Sequence, residues 1–316
     1  MSGMTTPGSV GRLLLLDSAS LYFRAFFGVP DQRKDPGQPP TNAIRGFLDM
    51  LASLVTQFEP THLVACWDND WRPQFRVDAI PTYKTHRLAD GGLEEEQVPD
   101  DLSPQVPVIV DALAALGIAR LGADGYEADD VIGTLTARHK GSMAVDVVTG
   151  DRDLFQLVDD AAGVRVVYTA RGGVRDPDLV DQAFLLAKYA IPDGPSYADM
   201  AVLRGDTSDG LPGVAGIGEK TAAKLITTYG SLAALREALE AGDPALKGAQ
   251  RARLEAGAAY LEVAPKVVQV APDAPVPNVD TSLPTEVADP ALLSRVASEF
   301  GVTSSVNRLL SALRLG

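Results

Sequence analysis

Hydrophobic residues in the first half of the chain form short runs that alternate with stretches of helical spacing. The apolar runs are residues 12–17, 62–68, 144–149 and 165–168, and their length predicts buried strands. Residues 43–58, 103–116 and 128–140 carry apolar side chains every three or four positions, which predicts helices. Strands that alternate with helices indicate parallel β-α-β units, so we expect an α/β fold with a mostly parallel central sheet flanked by helices.

The second half of the chain has a different pattern. Beyond about residue 180 the strand signal fades, and residues 197–316 have the pattern of short helices joined by glycine and proline turns. Residues 272–284 are rich in proline and predict an extended connector, and residues 290–313 predict a last helical stretch. We therefore expect an α/β core over residues 11–190 and a helical region over residues 191–316 that packs back on it.

Two segments follow neither pattern. Residues 71–105 combine arginine and lysine with proline, a Gly-Gly pair and the acidic run 94–96. A long irregular insertion of this kind is often functional. The first ten residues contain serine, threonine and glycine, and we interpret them as a frayed leader.

Composition narrows the possible classes of protein. Of the 316 residues, 46% are hydrophobic and 22% are charged, as in ordinary globular proteins. Cys66 is the single cysteine, which excludes an internal disulfide and a cysteine-based zinc site and favours a cytoplasmic location. The early apolar run, residues 13–16, is far too short for a signal segment or a membrane span, so we expect no membrane partner.

The net charge of −14 would by itself argue against nucleic-acid binding. Net charge, however, sums over the whole surface, whereas binding is local. Acids that cluster around metal ions also mislead the bare count, because the ions belong to the charge of the site. The positions of the acids therefore decide the question.

Acids follow three of the predicted strands. Asp17 ends the first strand, Asp68 ends the second, and Asp151 and Asp153 follow the third. Ligands of open parallel sheets bind beyond the carboxyl ends of the strands, where these side chains would meet. Any one of them could instead be a turn residue or a helix N-cap, but three strands that all end this way favour a shared site.

Two further segments add acids at helical spacing. The first, Tyr126-Glu-Ala-Asp-Asp130, carries Glu127, Asp129 and Asp130, and the second, Arg204-Gly-Asp-Thr-Ser-Asp209, carries Asp206 and Asp209. Each could instead be the charged start of a helix. With the strand-ending acids they make nine, which is most of the net negative charge. Oxygen ligands without histidine or cysteine suit Mg²⁺ or Mn²⁺, and two such ions about 4 Å apart can hydrolyse a phosphodiester.

Residues 211–226, LPGVAGIGEKTAAKLI, have the pattern of a helix–hairpin–helix. Gly213, Gly216 and Gly218 permit a tight turn with an exposed backbone, and a helix would begin at residue 219 or 220. Backbone N–H groups at such a helix start bind phosphate, and Lys220, Thr221 and Lys224 can add contacts to the same strand. The alternative is an ordinary glycine-rich connection between helices.

Together these motifs resemble the flap endonuclease and 5′-3′ exonuclease family, including the N-terminal nuclease domain of bacterial DNA polymerase I. The resemblance runs from about Leu13 to the final helical segment. The matching pieces are LLLLDS with YFRAF, CWD, RxxxxPTYKTHR, GYEADDVIGTL, VTGDRDLFQL, LRGDTSDGLPGVAGIGEKTAAKLI and SEFG. The resemblance implies a PIN-like nuclease core, a helical arch over about residues 71–105 and a C-terminal helix–hairpin–helix region. No polymerase portion follows, so we expect no primer extension.

The resemblance also implies roles for the acids. It implies one metal ion held by Asp17, Asp68, Glu127 and Asp129, and a second held by Asp151, Asp153 and Asp206, with Asp129 near both. Asp130 and Asp209 would act through water or support a weaker third ion.

Roles for basic and hairpin residues follow from the same resemblance. Lys84 and Arg87 resemble a basic pair that reaches the scissile phosphate from the arch, and Arg24 resembles a strand-binding arginine. Arg76 and Tyr83 are counted among the DNA contacts, with Tyr83 either stacking on a base or packing the arch. In the hairpin, the carbonyls of Val214 and Ile217 are the expected donors to a K⁺ ion. The acidic run 94–96 departs from this picture unless it lies on the outer face of the arch.

The function that these features imply is a 5′-3′ exonuclease and 5′-flap endonuclease of DNA replication and repair. We expect a monomer in the cytoplasm, at the nucleoid, acting on DNA with a flap, a nick or a single-stranded 5′ end. An RNA/DNA hybrid cut by ribonuclease H-like activity is one alternative, and a non-catalytic protein that binds branched DNA is another. A phosphohydrolase with an aspartyl-phosphate is disfavoured, because Asp17 is followed by Ser18 and Ala19 rather than by a second acid.

Overall fold

The computed structural model describes residues 11–35, 37–89 and 95–315. Its sheet has six strands in the order β3-β2-β1-β4-β5-β6, all parallel except for the β5–β6 pair. The strands are β1 (Arg12–Asp17), β2 (His62–Cys66), β3 (Ala119–Leu121), β4 (Ala144–Thr149), β5 (Val164–Tyr168) and β6 (Asp178–Val180). A mostly parallel sheet flanked by helices was predicted and is confirmed.

Helices cover both faces of this sheet and form most of the second half of the chain. They are α1 (Ser18–Gly28), α2 (Asn42–Phe58), α3 (Gln74–Ala79), α4 (Gln105–Leu116), α5 (Ala128–His139), α6 (Gln182–Tyr189), α7 (Gly194–Arg204), α8 (Glu219–Tyr229), α9 (Leu232–Glu240), α10 (Gly248–Ala256), α11 (Ala258–Val263), α12 (Pro265–Val268), α13 (Pro290–Glu299) and α14 (Thr303–Leu313). Among the described residues, no helix is both long and apolar enough to cross a membrane.

The central strand β1 divides the core into two layers. Leu13 and Leu15 pack with α5, α7 and the hairpin region on one face, whereas Leu14 and Leu16 pack with α2, α4, α13 and α14 on the other. All four leucines are fully buried, as expected for a strand covered on both sides. The last two helices therefore close the core beside the first half of the chain.

Some elements differ from those predicted. The two edge strands β3 and β6 were missed, because three residues are too few to show a period. Helix α1 was also missed. The last helical stretch is two helices, since the chain turns at Gly301 with φ 61°.

The expected helical arch is much less helical than predicted. In residues 71–89 and 95–105, the structure has the six-residue α3, a 3₁₀ turn over Thr85–Arg87 and the start of α4. Thr82 donates to the carbonyl of Gly210, and the Lys84 N–H donates to the carbonyl of Asp209. This segment therefore packs against the loop that carries Asp206 and Asp209. Part of the acidic run, Glu94, lies outside the described residues.

Candidate metal centre

Acids meet at the carboxyl ends of neighbouring strands, as the sequence predicted. Asp17 is the last residue of β1, and it lies opposite Cys66 at the end of β2. Asp68 follows two residues later, and Asp151 follows two residues after β4, the other neighbour of β1. The parallel register of β1, β2 and β4 therefore gathers the three carboxylates at one edge of the sheet.

Asp17 is both a helix cap and a site residue. One carboxylate oxygen accepts from the backbone N–H of Ser20 at 3.0 Å, which caps α1. The other accepts from the hydroxyl of Thr149 at 2.7 Å. These two contacts orient the carboxylate, and Asp17 also lines the cavity of the acids, so capping α1 does not exclude a role as a metal ligand.

Helix α5 supplies the next group of acids through its first turn. Glu127 is the N-cap and forms a reciprocal capping box with Asp130. Asp129, between them in the sequence, is partly exposed and faces the site. Asp68 accepts from the N–H of Ala128 at 2.8 Å, which joins β2 to this helix start.

A cavity of about 270 Å³ unites these segments. The acids that line it are Asp17, Asp68, Glu96, Glu127, Asp129 and Asp151, together with the basic residues Lys84 and Arg87. Glu96 of the acidic run therefore lies at this cavity and not on an outer face of the segment 71–105. Phe23 and Trp71 add an aromatic wall.

Crowded burial strongly perturbs these carboxylates. Burial, with the charges of Asp68 and Asp151, raises the pKa of Asp17 to about 7. Burial and the Glu127 charge raise the pKa of Asp68 to about 6. The pKa of Asp129 is held well above its usual range by burial and by Asp17 and Asp151. Buried carboxylates that repel one another in this way are stabilised by a bound cation.

The donor set fits hard divalent cations, because it is built of carboxylate oxygens. Within residues 11–35, 37–89 and 95–315, however, no three His, Cys, Asp or Glu side chains form a ready-made metal site. Glu127 in particular is held by other partners, because it accepts from Arg76 at 2.8 Å, from the hydroxyl of Tyr83 at 2.9 Å and from Lys84. Metal binding would therefore require side-chain rotations at this edge.

A second group of acids stands beside the cavity. Burial and the charges of Asp151, Asp209 and Asp206 hold the pKa of Asp153 well above its usual range. Asp206 behaves differently. Burial pushes its pKa upward, but hydrogen bonds from Ser208 and Arg152 outweigh burial and lower it. Arg152 lies 3.1 Å from its carboxylate.

Lys84 and Arg87 of the segment 71–105 line the same cavity as the acids, and their contact with a scissile phosphate stays a prediction. Lys84 pairs with Glu127, and Arg87 lies 2.8 Å from Asp209. Lys84 also adopts φ 50°, a conformation that is rare outside glycine and costly to maintain. The two cations thus line the cavity together with the acids.

Two predicted roles are contradicted by burial. Arg76 was expected to contact DNA, but only 2% of it is exposed. It forms a bidentate pair with Asp130 at 2.6 and 2.7 Å. Asp130 is fully buried in this pair, so it does not face the metal cavity either. Both residues fix α3 to the start of α5.

Tyr83 has the packing role rather than the stacking role. Its side chain is 3% exposed, and its hydroxyl donates to Glu127. It thus cannot stack on a base in this conformation. Sequence spacing cannot distinguish the two roles, because they differ only in which way the ring points.

The hairpin forms where it was predicted, and α8 begins at Glu219. Gly213 and Gly216 take φ 63° and 78°, while Gly218 is the helix N-cap with extended backbone. Gly216, Gly218, Lys220 and Lys224 are exposed and Thr221 is partly exposed, whereas the side chains of Val214 and Ile217 are buried. The Val214 carbonyl already accepts from the Ile217 N–H at 2.9 Å.

Arg24 lies in a different place from the other predicted catalytic residues. It lines a separate cavity of about 910 Å³ with Arg175 and Arg308, and its guanidinium donates to the carbonyl of Ala170 at 3.4 Å. The sequence reasoning also missed Thr149, Arg152 and Arg204, which hold Asp17 and Asp206. Their closeness to the acids in sequence was the signal that could have found them.

Two family models together match most of the chain. The first, described as 5′-3′ exonuclease, N-terminal resolvase-like domain, matches residues 12–190. The second, described as 5′-3′ exonuclease, C-terminal SAM fold, matches residues 193–291.

Individual relatives agree with these models. A 5′-3′ exonuclease of Streptomyces coelicolor is 57% identical over 95% of this chain and 99% of that protein. DNA polymerase I of Mycobacterium tuberculosis is 42% identical over 77% of this chain and 26% of that protein. A solved structure of bacteriophage T5 D15 flap endonuclease in a pseudo-enzyme-product complex with DNA and metal ions has a TM-score of 0.62. It is 17% identical and covers 96% of this chain and 99% of that one, which establishes the shared fold.

Proposed function

The chain belongs to the 5′-3′ exonuclease family, and from this premise we propose that it hydrolyses DNA at free 5′ ends and at 5′ flaps. The observation that carries the proposal is the cavity at the strand ends, which is lined by acids and by Lys84 and Arg87. The exposed hairpin begins only a few residues after Asp206. The backbones of Asp206 and Leu211 form two hydrogen bonds with each other, which ties the acid to the start of the hairpin. A strand end could therefore reach the acids while its duplex is held at the hairpin.

The acids would hold divalent metal ions, with Mg²⁺ or Mn²⁺ preferred for an all-oxygen site. Asp17, Asp68, Glu127 and Asp129 would hold one ion, and Asp151, Asp153 and Asp206 a second, with Asp209 available to a third. When bound, such ions polarise the phosphodiester and favour attack by water. Asp130 leaves this set, because it is buried with Arg76.

Lys84 and Arg87 would contact the scissile phosphate. In this structure Lys84 and Arg87 neutralise Glu127 and Asp209. With divalent ions on those carboxylates, Lys84 and Arg87 would both be available to phosphate oxygens. They would then stabilise the negative charge that develops during hydrolysis.

The hairpin would hold the duplex without reading its sequence. The N–H groups around Gly216 and Gly218, with Lys220, Thr221 and Lys224, form a phosphate site at the start of α8. A K⁺ ion between this phosphate and the carbonyls of Val214 and Ile217 belongs to the same proposal. We further propose a monomer that works in the cytoplasm, at the nucleoid.

The experiment uses a duplex with a labelled 5′ flap, with nicked, gapped and RNA/DNA hybrid versions beside it. We expect cleavage in Mg²⁺ or Mn²⁺ that leaves a 5′-phosphate and that stops in EDTA. Asp151→Asn should abolish it, while Asp124→Asn, an exposed acid outside the cavity, should not. Cleavage in EDTA, or by Asp151→Asn at the wild-type rate, contradicts the metal mechanism. A preference for the hybrid would favour ribonuclease H-like activity, and binding without cleavage would favour a non-catalytic role.

A further inference from the structure

Arg204 lies between the start of the hairpin helix and the metal-binding acids. Its side chain is 9% exposed. One guanidinium nitrogen, Nη1, lies 3.3 Å from Glu219 in the first turn of α8. The other, Nη2, lies 3.7 Å from Asp206. One buried cation therefore faces a carboxylate of each site.

The link to Asp206 is incomplete. Nη2 is buried and has no hydrogen-bond acceptor among the described residues. A buried donor without an acceptor is unfavourable, so this group gains from any rearrangement that satisfies it. Arg152 already holds the same carboxylate at 3.1 Å. Asp206 therefore does not need Arg204 as its sole counterion, and Arg204 can shift toward Glu219.

Glu219 is poorly placed for a phosphate site. It follows the N-cap Gly218, where exposed backbone N–H groups would meet a phosphate of the duplex. Its carboxylate is 42% exposed and would repel that phosphate. Pairing with Arg204 neutralises it, so the strength of this pair sets how well the hairpin accepts an anion.

The backbone around Arg204 is rigid. Gly205 takes φ 75° and packs directly on the hairpin, because a Cβ there would lie 2.5 Å from the nitrogen of Gly213. The N–H of Val214 donates to the carbonyl of Leu203 at 2.9 Å. The end of α7, the hairpin and the Asp206 loop are thus joined by backbone contacts, so a change at Asp206 would act on Glu219 mainly through the side chain of Arg204.

We propose that Arg204 is a positioning residue that couples metal binding at Asp206 to duplex binding at the hairpin. With a metal ion bound to the Asp206 carboxylate, Arg204 would lose that partner and would pair more fully with Glu219. The neutralised Glu219 then repels the duplex phosphate less. Coupling of this kind is reciprocal, so bound duplex strengthens metal binding by the same factor. The inference rests on the proposed function, since it assumes that Asp206 holds a metal ion and that the hairpin holds DNA.

The test measures the dissociation constant of a closed dumbbell duplex, which has no 5′ end to enter the acid cavity. It is measured in EDTA and in Ca²⁺, and the ratio of the two values reports the coupling. In the wild type we expect Ca²⁺ to tighten binding about fivefold or more, as is typical of coupled sites. Calorimetric titration of Ca²⁺ with and without the dumbbell should give the same factor.

Three variants locate the coupling. Arg204→Met should reduce the ratio to about one, and Arg204→Lys should keep part of it, because its ammonium retains charge but cannot reach two carboxylates at once. Glu219→Gln should bind the dumbbell more tightly in EDTA, and its ratio of dissociation constants in EDTA and Ca²⁺ should also fall to about one. This gain of binding cannot arise from misfolding, so Glu219→Gln decides the matter if Arg204→Met does not fold. Glu240→Gln, an exposed acid at the end of α9, is the matched control.

The outcomes separate the two proposals. A wild-type ratio near one, or an unchanged ratio in Glu219→Gln, overturns the coupling while cleavage of the flap substrate in Mg²⁺ still stands. A wild type that neither binds the dumbbell nor cleaves the flap overturns the proposed function, and the coupling with it.

Discussion

Individual residues at this site have two roles at once. Asp17 caps α1 and also faces the cavity, and Glu127 caps α5 while it lines the same space. A capping hydrogen bond occupies one carboxylate oxygen, so the negative charge of the group can still attract a cation. The presence of a helix cap is therefore not evidence against a metal ligand.

Asp17→Asn separates these two roles, because asparagine caps a helix about as well as aspartate. We expect α1 to stay intact and the melting temperature to stay level or rise, since a repelled buried charge is removed. Nuclease activity should fall by about 100-fold or more, because a ligand charge is lost. The measurement is flap cleavage beside thermal unfolding. Activity within a few fold of wild type would show that Asp17 is only a cap.

Arg76 was predicted to contact DNA, but in the structure it is buried and paired with Asp130. Arg76→Met should destabilise the protein by about 3–5 kcal/mol, because it leaves the buried carboxylate of Asp130 without its cation and Glu127 with Lys84 alone. Urea unfolding checks this, with Arg171→Met, an exposed arginine, as the control. A change as small as the control would mean that this ion pair does not hold α3 to α5.

At the scale of elements, the hairpin depends on glycine at some positions and not at others. Gly216 takes φ 78°, and a Cβ there would lie 2.8 Å from the guanidinium carbon of Arg253. Gly218 has φ −87° and open space around its Cα. Both glycines belong to one motif, but only the first is required by the backbone of the hairpin.

These two positions give a matched pair of substitutions. Gly216→Ala should cost about 1–3 kcal/mol of stability from the left-handed backbone alone, and Gly218→Ala should cost much less. Thermal unfolding without DNA measures both, so that no phosphate contact enters the comparison. Equal losses at the two sites would contradict the hairpin geometry.

At the scale of the whole molecule, the gathered acids set the pH dependence of stability. The folded-state pKa of Asp17 is about 7 and that of Asp68 about 6, both above the usual 3.8. Acids with raised pKa values stabilise the fold at low pH, and this stability is lost as pH rises through the folded values. His139 opposes the trend, since burial lowers its pKa, but it is a single, partly buried group.

Without metal, the protein should therefore be more stable near pH 5 than near pH 8. Mg²⁺ should reverse the order, because it binds the ionised carboxylates and so stabilises most at high pH. Melting temperatures at both pH values, in EDTA and in Mg²⁺, check this. Asp17→Asn should weaken the dependence in EDTA. An Mg²⁺ effect that is equal at the two pH values would contradict a carboxylate site.

The sequence by itself determined the strands β1, β2, β4 and β5, the acids at their ends and the hairpin. These features follow from the hydrophobic period, the turn residues and the spacing of the acids, all of which involve residues that are close together in the sequence. The structure adds the strand order, with β1 between β2 and β4, and this order brings Asp17, Asp68 and Asp151 to one edge.

Only the tertiary structure decided how side chains from distant segments pair. Arg76 and Asp130 are 54 residues apart, and Tyr83 and Glu127 are 44 apart, so no local pattern could show that these pairs are buried. The same holds for Glu96, which reaches the cavity from the segment 71–105. Charged residues look alike in sequence, whether they face solvent, DNA or one another, because packing sets the direction of each side chain. The sequence therefore fixes which groups are available, and the fold decides which of them remain free to act on a substrate.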